Sequence, residues 1–358
     1  MISYLLNKIT YALLTLFGVI TVIFLLFNVL PGDPAQMMLG QNEDTEQLAL
    51  VKQKYGFDKP ISTQYLYYLN DLSPLSFHSN LKEDYTSLES GKYSATKLFT
   101  LGNTTTVLKF PYLRESFTKQ GKRVSEVLGE TLPNTFVLAV SAIIIAILLG
   151  VALGIVSALF KDQWLDKIIQ VVSTLGMSVP SFFSAILFAW LFGFVLHKYT
   201  NLEMTGSLYE LDDFGEAMHI KWKNLILPAI VLGIRPLAVV IQLMRNSLLE
   251  VFNQDYIRTA RAKGLSEFQI IKKHAIKNAM NPVVTAISGW FASMLAGAVF
   301  VEYIFGWNGL GKEIVNSLNT LDLPVIMGSV LVIATMFVMI NIFVDLIYAW
   351  LDPKVKLQ

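Results

Sequence analysis

Six stretches of this chain are apolar enough to leave water and long enough to cross a bilayer: Ile9 to Leu30, Pro133 to Phe160, Ile168 to His197, Leu225 to Met244, Val283 to Phe305 and Pro324 to Trp350. A hydrocarbon core needs about 20 mostly apolar helical residues to span it. In lipid the backbone must satisfy its own polar groups, so a run of this kind becomes a helix. The expected fold is an all-α polytopic membrane protein of six transmembrane helices. With 54% of its 358 residues hydrophobic and 15% charged, the chain is too greasy for an ordinary soluble domain. The first run reads as a retained span rather than a signal peptide, because one lysine precedes it and PGDP, not a small-residue cleavage site, follows.

Between the runs the chain divides into 1–30, the first span; 31–132, a polar lobe with 11 Lys+Arg against 12 Asp+Glu; and 133–358, five further spans with a basic loop at 245–282. Tyr65, Tyr67, Tyr68, Leu69, Phe99 and Phe110 could give the lobe a small core. The Thr, Ser and Val content of 82–110 suggests strands, Thr104 to Phe110 among them. Pro133 is expected at a first helical position, and Pro180, Pro228 and Pro236 are tolerated within spans where neighbours re-satisfy the backbone. The short segments on the side of the N-terminus hold twelve Lys and Arg, and those on the other side hold four. The positive-inside rule therefore puts both termini and the basic loop in the cytoplasm and the lobe outside.

The basic loop, NQDYIRTARAKGLSEFQIIKKHAIKNAMNP from Asn253 to Pro282, spells helix, turn, helix. Thr259, Ala260, Arg261 and Ala262 are mostly good helix formers, and Gly264 suits a left-handed terminating residue. Ser266 offers an N-cap oxygen, with Gln269 at the reciprocal capping-box position. The second helix runs through Lys272, Lys273 and Lys277 and is expected to end near Asn281, before Pro282.

RTARAKGLS, followed by HAIKNAMNPVV, resembles the cytoplasmic loop of permease subunits in the dipeptide, oligopeptide and nickel ABC importers. Arg258, Thr259 and Ala260 stand at that family's EAA positions and Gly264 at its glycine. The acidic first residue is missing, and Lys277 stands where the general pattern has proline. LFNVLPGDPAQMMLG, Leu50 to Leu72, VEYIFGWNGLG and DLIYAWLDPKVK resemble further parts of the family, while Asn308 replaces a usual proline. The resemblance covers 1–75 and about 120–358 and leaves the middle of the lobe, about 80–118, as a possible insertion without a role.

The resemblance implies a permease subunit of an ATP-driven importer in the bacterial inner membrane. Its partners would be a second homologous permease, two ATPase subunits, an external solute-binding protein and the lipid bilayer. ATP would be used by the partners, with no cofactor bound directly. Tyr256, Arg258, Thr259, Ala260, Arg261, Ala262, Lys263, Gly264 and Ser266 would form the ATPase-coupling element. The substrate expected is peptide, with nickel or another small solute as the alternative.

Other features are weaker. GWNGLGKE nearly matches a phosphate-binding loop, but Glu313 replaces the hydroxyl that would hold magnesium and no strand precedes it. Arg235 and Glu302 lie in or at the ends of spans, where an ionised group is expensive unless paired or wet, and are candidates for a translocation path. Asp345 reads as structural. Gly150, Gly154 and Ala158 form a small-residue stripe suited to packing within the subunit or, less readily, to a dimer seam. Without cysteine and with four scattered histidines, no metal site or catalytic constellation is expected, and the basic loop lacks the stacking aromatics of a nucleic-acid site. A secondary transporter, the other alternative, would need coupling-ion residues near mid-membrane, for which the lone Arg235 is thin support. An intramembrane hydrolase would need a Ser/His or paired-Asp constellation at that depth, for which only Asp345 is available.

Overall fold

The computed structural model of the protein describes residues 2–29, 34–39, 45–82, 84–119, 121–212, 215 and 217–351. α1 (Ile2–Val29) carries the first apolar run, and α2 (Pro34–Leu39), α3 (Thr45–Tyr55) and α4 (Ile61–Leu72) follow it. Strands β1 (Leu75–Ser79), β2 (Ala95–Leu101) and β3 (Thr104–Lys109) precede the long α5 (Val124–Leu159). Next come α6 (Trp164–Ser178) and α7 (Ser181–Phe188), a π-helical segment at Ala189–Val195, and α8 (His197–Thr200). The hairpin β4 (Tyr209–Leu211) and β5 (Met218–Ile220) leads into α9 (Lys223–Phe252). α10 (Asp255–Ala262) and α11 (Glu267–Ile270) form the basic loop, and a π-helical turn, Ile271–Ala275, joins α11 to α12 (Ile276–Gly297). α13 (Val299–Phe305), α14 (Leu310–Asn319) and α15 (Leu323–Leu351) follow.

Four helices, α1, α5, α9 and α15, are long and apolar enough to cross a membrane. Two bent pairs, Trp164–Ser178 with Ser181–Val195 and Glu267–Leu295 with Val299–Phe305, raise the number to six if each pair is one span. Of the six expected helices, four are therefore continuous and two are bent pairs. The first pair bends by 110° at Val179, which is extended ahead of Pro180, as the residue before a proline prefers. At Pro133 and Pro282 proline does not decide the boundary. Pro133 lies nine residues inside α5 rather than at its start, and the helix through Lys277 runs on past Pro282 to Gly297. Each such proline forfeits one backbone bond, which the rest of a long apolar helix outweighs. The all-α class also needs amending, because two small sheets occur, with strand orders β1-β3-β2 and β4-β5.

The chain divides into two compact units. One comprises Thr131–Glu313 and the residues from Met336 on, with two apolar cores. In it Gly150 and Gly154 lie against α9: an added Cβ would come within 2.7 Å of Val240 and of Met244 respectively. The small-residue stripe is thus used for close packing within the chain.

The other unit comprises Ile2–Glu130 and Ile314–Thr335. α4 lies along α1, with the Tyr65 hydroxyl 2.6 Å from Thr21 Oγ1 and Phe24 against Tyr65 and Tyr68. Asp71, fully buried, accepts hydrogen bonds from the hydroxyls of Tyr85 and Tyr93 and from Arg114 Nε. Lys109 Nζ donates to the Asp71 carbonyl. Asp322 accepts from Ser116, Thr118 and the Phe117 backbone N–H.

β3 pairs antiparallel with both β1 and β2, and β2 turns into β3 through Gly102 at φ +59, the residue a tight hairpin asks for. The strand expected at Thr104 to Phe110 is β3. The inward face of its sheet is mostly polar. Ser76, His78, Thr105 and Lys109 point into the unit together with Val107, whereas Leu75, Phe77, Leu108 and Phe99 are exposed. Phe99 and Phe110, the latter 88% exposed, do not form the core expected of them. Asp352 and Pro353 lie outside the described residues, as do the side chains of Asp345 and Tyr348.

Candidate functional site

The basic loop folds as an elbow. α10 begins at Asp255 and ends where Gly264 takes φ +77 and donates its N–H to the Arg261 carbonyl. An added Cβ there would meet nothing within 4 Å, so glycine is required by backbone conformation and not by space. Ser266 Oγ then accepts from Gln269 N, and the Gln269 side chain accepts from Ser266 N, completing the capping box that starts α11.

The elbow has a buried keel and a charged back. Ile257, Ala260, Ile270 and Ala275 are buried in one core with Met244, Leu248 and Val251 of α9 and Ala279 and Val283 of α12. Facing outward are Tyr256, Arg258, Thr259, Arg261, Ala262, Lys263, Gly264 and Ser266. Of the nine residues singled out in the sequence, Ala260 alone is buried. Arg261 Nε lies 2.9 Å from Glu267 Oε1 and spans the turn, and Asn278 Nδ2 donates to the Tyr256 hydroxyl. Phe268 is exposed beside Lys272.

An ion pair that sequence reading missed braces the base of this element. Asp166, at the start of α6, accepts from both Arg245 Nε (2.8 Å) and Nη2 (2.6 Å) of α9. It also accepts from Ser157 Oγ and Asp162 N. Arg245 had counted as one more loop cation, and only its depth in the fold shows that it is committed to a planar two-bond partner.

The two path candidates stand apart. Arg235 is exposed near the middle of α9, beside the α6–α7 break. Glu302, on α13, is fully buried, and its Oε2 accepts from Gly311 N (2.6 Å) and Lys312 N at the start of α14. In GWNGLGKE the chain's own carboxylate therefore sits on the helix N-terminus that a phosphate would need. A Cβ on Gly309 would lie 2.4 Å from that carboxylate.

Residues 150–357 match the family described as the binding-protein-dependent transport system inner membrane component. Residues 1–139 match the N-terminal region of the same kind of component. The chain belongs to this family. Among curated relatives, this permease is 32% identical to the dipeptide transport system permease protein DppB of Alkalihalophilus pseudofirmus, over 99% of this chain and all of that one. It is 31% identical to the di/tripeptide permease DppB of Pseudomonas aeruginosa over the full length of both. It is 30% identical to the glutathione permease GsiC of Salmonella choleraesuis, over 99% of each. Like its family, it is a multi-pass inner-membrane transport subunit, and membership implies association with ATPase and solute-binding partners.

Asn308 is held at both of its backbone groups. Asn308 N donates to Ser207 Oγ (3.0 Å), and its carbonyl accepts from Asn134 Nδ2 (2.8 Å), beside Trp307 Nε1 on the Asn134 carbonyl. A proline at 308 would lack the first of these donors.

Proposed function

We propose that this permease forms the translocation path of an ATP-driven importer of peptides, acting with a second homologous permease, two ATPase subunits and an external solute-binding protein. In this reading each bent pair is one span, making six, both termini and the elbow are cytoplasmic, and the sheet-bearing lobe lies outside. Residues Tyr256 to Ser266 seat in a groove of one ATPase subunit. The permease binds no cofactor itself, and ATP is held and hydrolysed by the partners. The substrate class comes from the names of the full-length relatives.

The observation that carries the coupling role is the elbow's construction. Its charged back is free to be gripped, while its keel is buried in one core with both α9 and α12. Displacement of α10 must therefore move those helices together, because close-packed cores transmit strain rather than absorb it. The Asp166–Arg245 pair extends the same rigid body to α6. Nucleotide acts only through contacts that differ between two ATPase arrangements. Reconstitution of the whole assembly in proteoliposomes tests this, with ATP-dependent uptake of labelled dialanine as the expected result. Uptake that needs no ATP and follows a proton or sodium gradient overturns it, and uptake confined to nickel complexes replaces the substrate.

A further inference from the structure

Arg235 lies twelve residues from Lys223 and seventeen from Phe252, about 18 and 25 Å along the helix axis at 1.5 Å per residue. That is mid-span. Among the described residues it has no ion-pair or hydrogen-bond partner, whereas Arg245, ten positions further on, is held by both oxygens of Asp166. A guanidinium stays charged in proteins, and a charge at this depth faces a polar cavity or a partner rather than acyl chains.

The structure supplies such a cavity. Arg235 opens onto a space of about 80 Å³ walled by α6, α7, α9 and α12, with Ser181, Ser184, Ser293 and Trp290 in its lining. One water needs only about 10–15 Å³ on this measure. Arg235 is the sole ionisable side chain of the lining. Among the described residues the three serine hydroxyls make no hydrogen bond. The cavity sits at the 110° break between α6 and α7, and broken backbone at membrane depth is tolerated where it is buried in protein or lines water.

We infer that this cavity is a way-station for a carboxylate, which for a transported peptide is its C-terminal group. A planar guanidinium with unused donors takes a carboxylate through two parallel bonds, and the hydroxyls can complete its shell. The inference rests on the peptide-permease reading above and deepens it.

The chain has no cysteine, so Ser293→Cys places a single thiol in the cavity. In the complete transporter, built with cysteine-free partners, its labelling by an anionic sulfonatoethyl and a cationic trimethylammonioethyl methanethiosulfonate is compared, each normalised to a free thiol. The anionic reagent is expected to react about fivefold faster or more, as one unscreened charge nearby would produce. Arg235→Gln should remove that preference, and dialanine, but not dialaninamide, should slow the labelling. Equal rates, a preference that survives Arg235→Gln, or a thiol that never reacts each overturn the site. Separately, Arg235→Gln should lower ATP-driven dialanine uptake by about tenfold or more, with Arg235→Lys intermediate and ATPase subunits co-purifying as before. If unmodified vesicles show no ATP-driven uptake, the permease reading fails; if they do and the charge preference is absent, only the carboxylate site fails.

Discussion

The elbow at 255–275 and the sheet at 75–109 are both polar segments between apolar runs, and they are built by opposite rules. The elbow turns Ile257 and Ile270 inward and its arginines and lysines outward. The sheet turns His78, Thr105 and Lys109 inward beside Val107, with Lys109 on the Asp71 carbonyl, and leaves Leu75, Phe77 and Phe99 outside. An apolar keel needs only burial to be stable. A polar interior needs every donor matched to an acceptor, so it stands or falls on a few named hydrogen bonds. The two segments should therefore fail differently when changed.

The largest effect is expected in the elbow. Gly264→Pro cannot adopt φ +77 and loses the N–H that bonds to Arg261. ATP-driven uptake should disappear while membrane insertion and the protease pattern of the sheet segment stay as they were, and unchanged uptake would refute the role given to the turn. Reversing the charged back, with Arg258→Glu and Arg261→Glu together, should abolish co-purification of the ATPase subunits. Both side chains reach solvent, Arg258 more than Arg261, and exposed pairs contribute only about 0–1 kcal/mol, so the fold should not suffer. Undiminished co-purification removes these residues from the dock.

In the sheet segment, Asp71→Ala strands Arg114, Tyr85 and Tyr93 around an empty acceptor. Breaking one partner of a buried pair costs about 3–5 kcal/mol, which should show as rapid proteolysis between residues 75 and 112 in the full chain, with the elbow still able to hold ATPase. Proteolysis no faster than in the parent chain would mean that the polar interior is not what holds this segment.

The same interior predicts a pH signature. Burial lowers Lys109 from its ordinary 10.5 to about 8 and raises Tyr85 and Tyr93 above their ordinary 10.0. Between about pH 8 and 10 the unfolded chain binds more protons than the folded one, so the segment should gain stability as pH rises. Above about pH 10 the unfolded tyrosines lose protons first, and the trend should reverse. Protease resistance of residues 75–112, corrected with an unfolded substrate, reads both limbs, and a flat profile contradicts the assignment. The smallest effect is Gly264→Ala, which finds open space but costs about 1–2 kcal/mol for its left-handed backbone. It should slow uptake without stopping it.

Most of the elbow was legible because its signals are local. A glycine three residues beyond an arginine, then serine and glutamine at capping-box spacing, need no distant partner to act. The spans were legible from apolar length, though not their interruptions: Pro180 breaks its run and Pro282 does not, and that choice depends on what surrounds each carbonyl. The sheet's mostly polar inward face could not be read, because alternation shows that two faces differ without saying which faces the protein. In the sequence Arg235 stands out as a charge inside a span and Arg245 reads as a loop cation, and only three dimensions show Arg245 with an acid and Arg235 beside a cavity.

Glu302 has a practical consequence. By seating its carboxylate on the first amides of α14, Glu302 leaves no berth for a triphosphate in the segment at 306–313. A reporter dye attached near that turn would stay silent when nucleotide is added to the isolated subunit. Any signal seen in the assembly would then be a report on its neighbours.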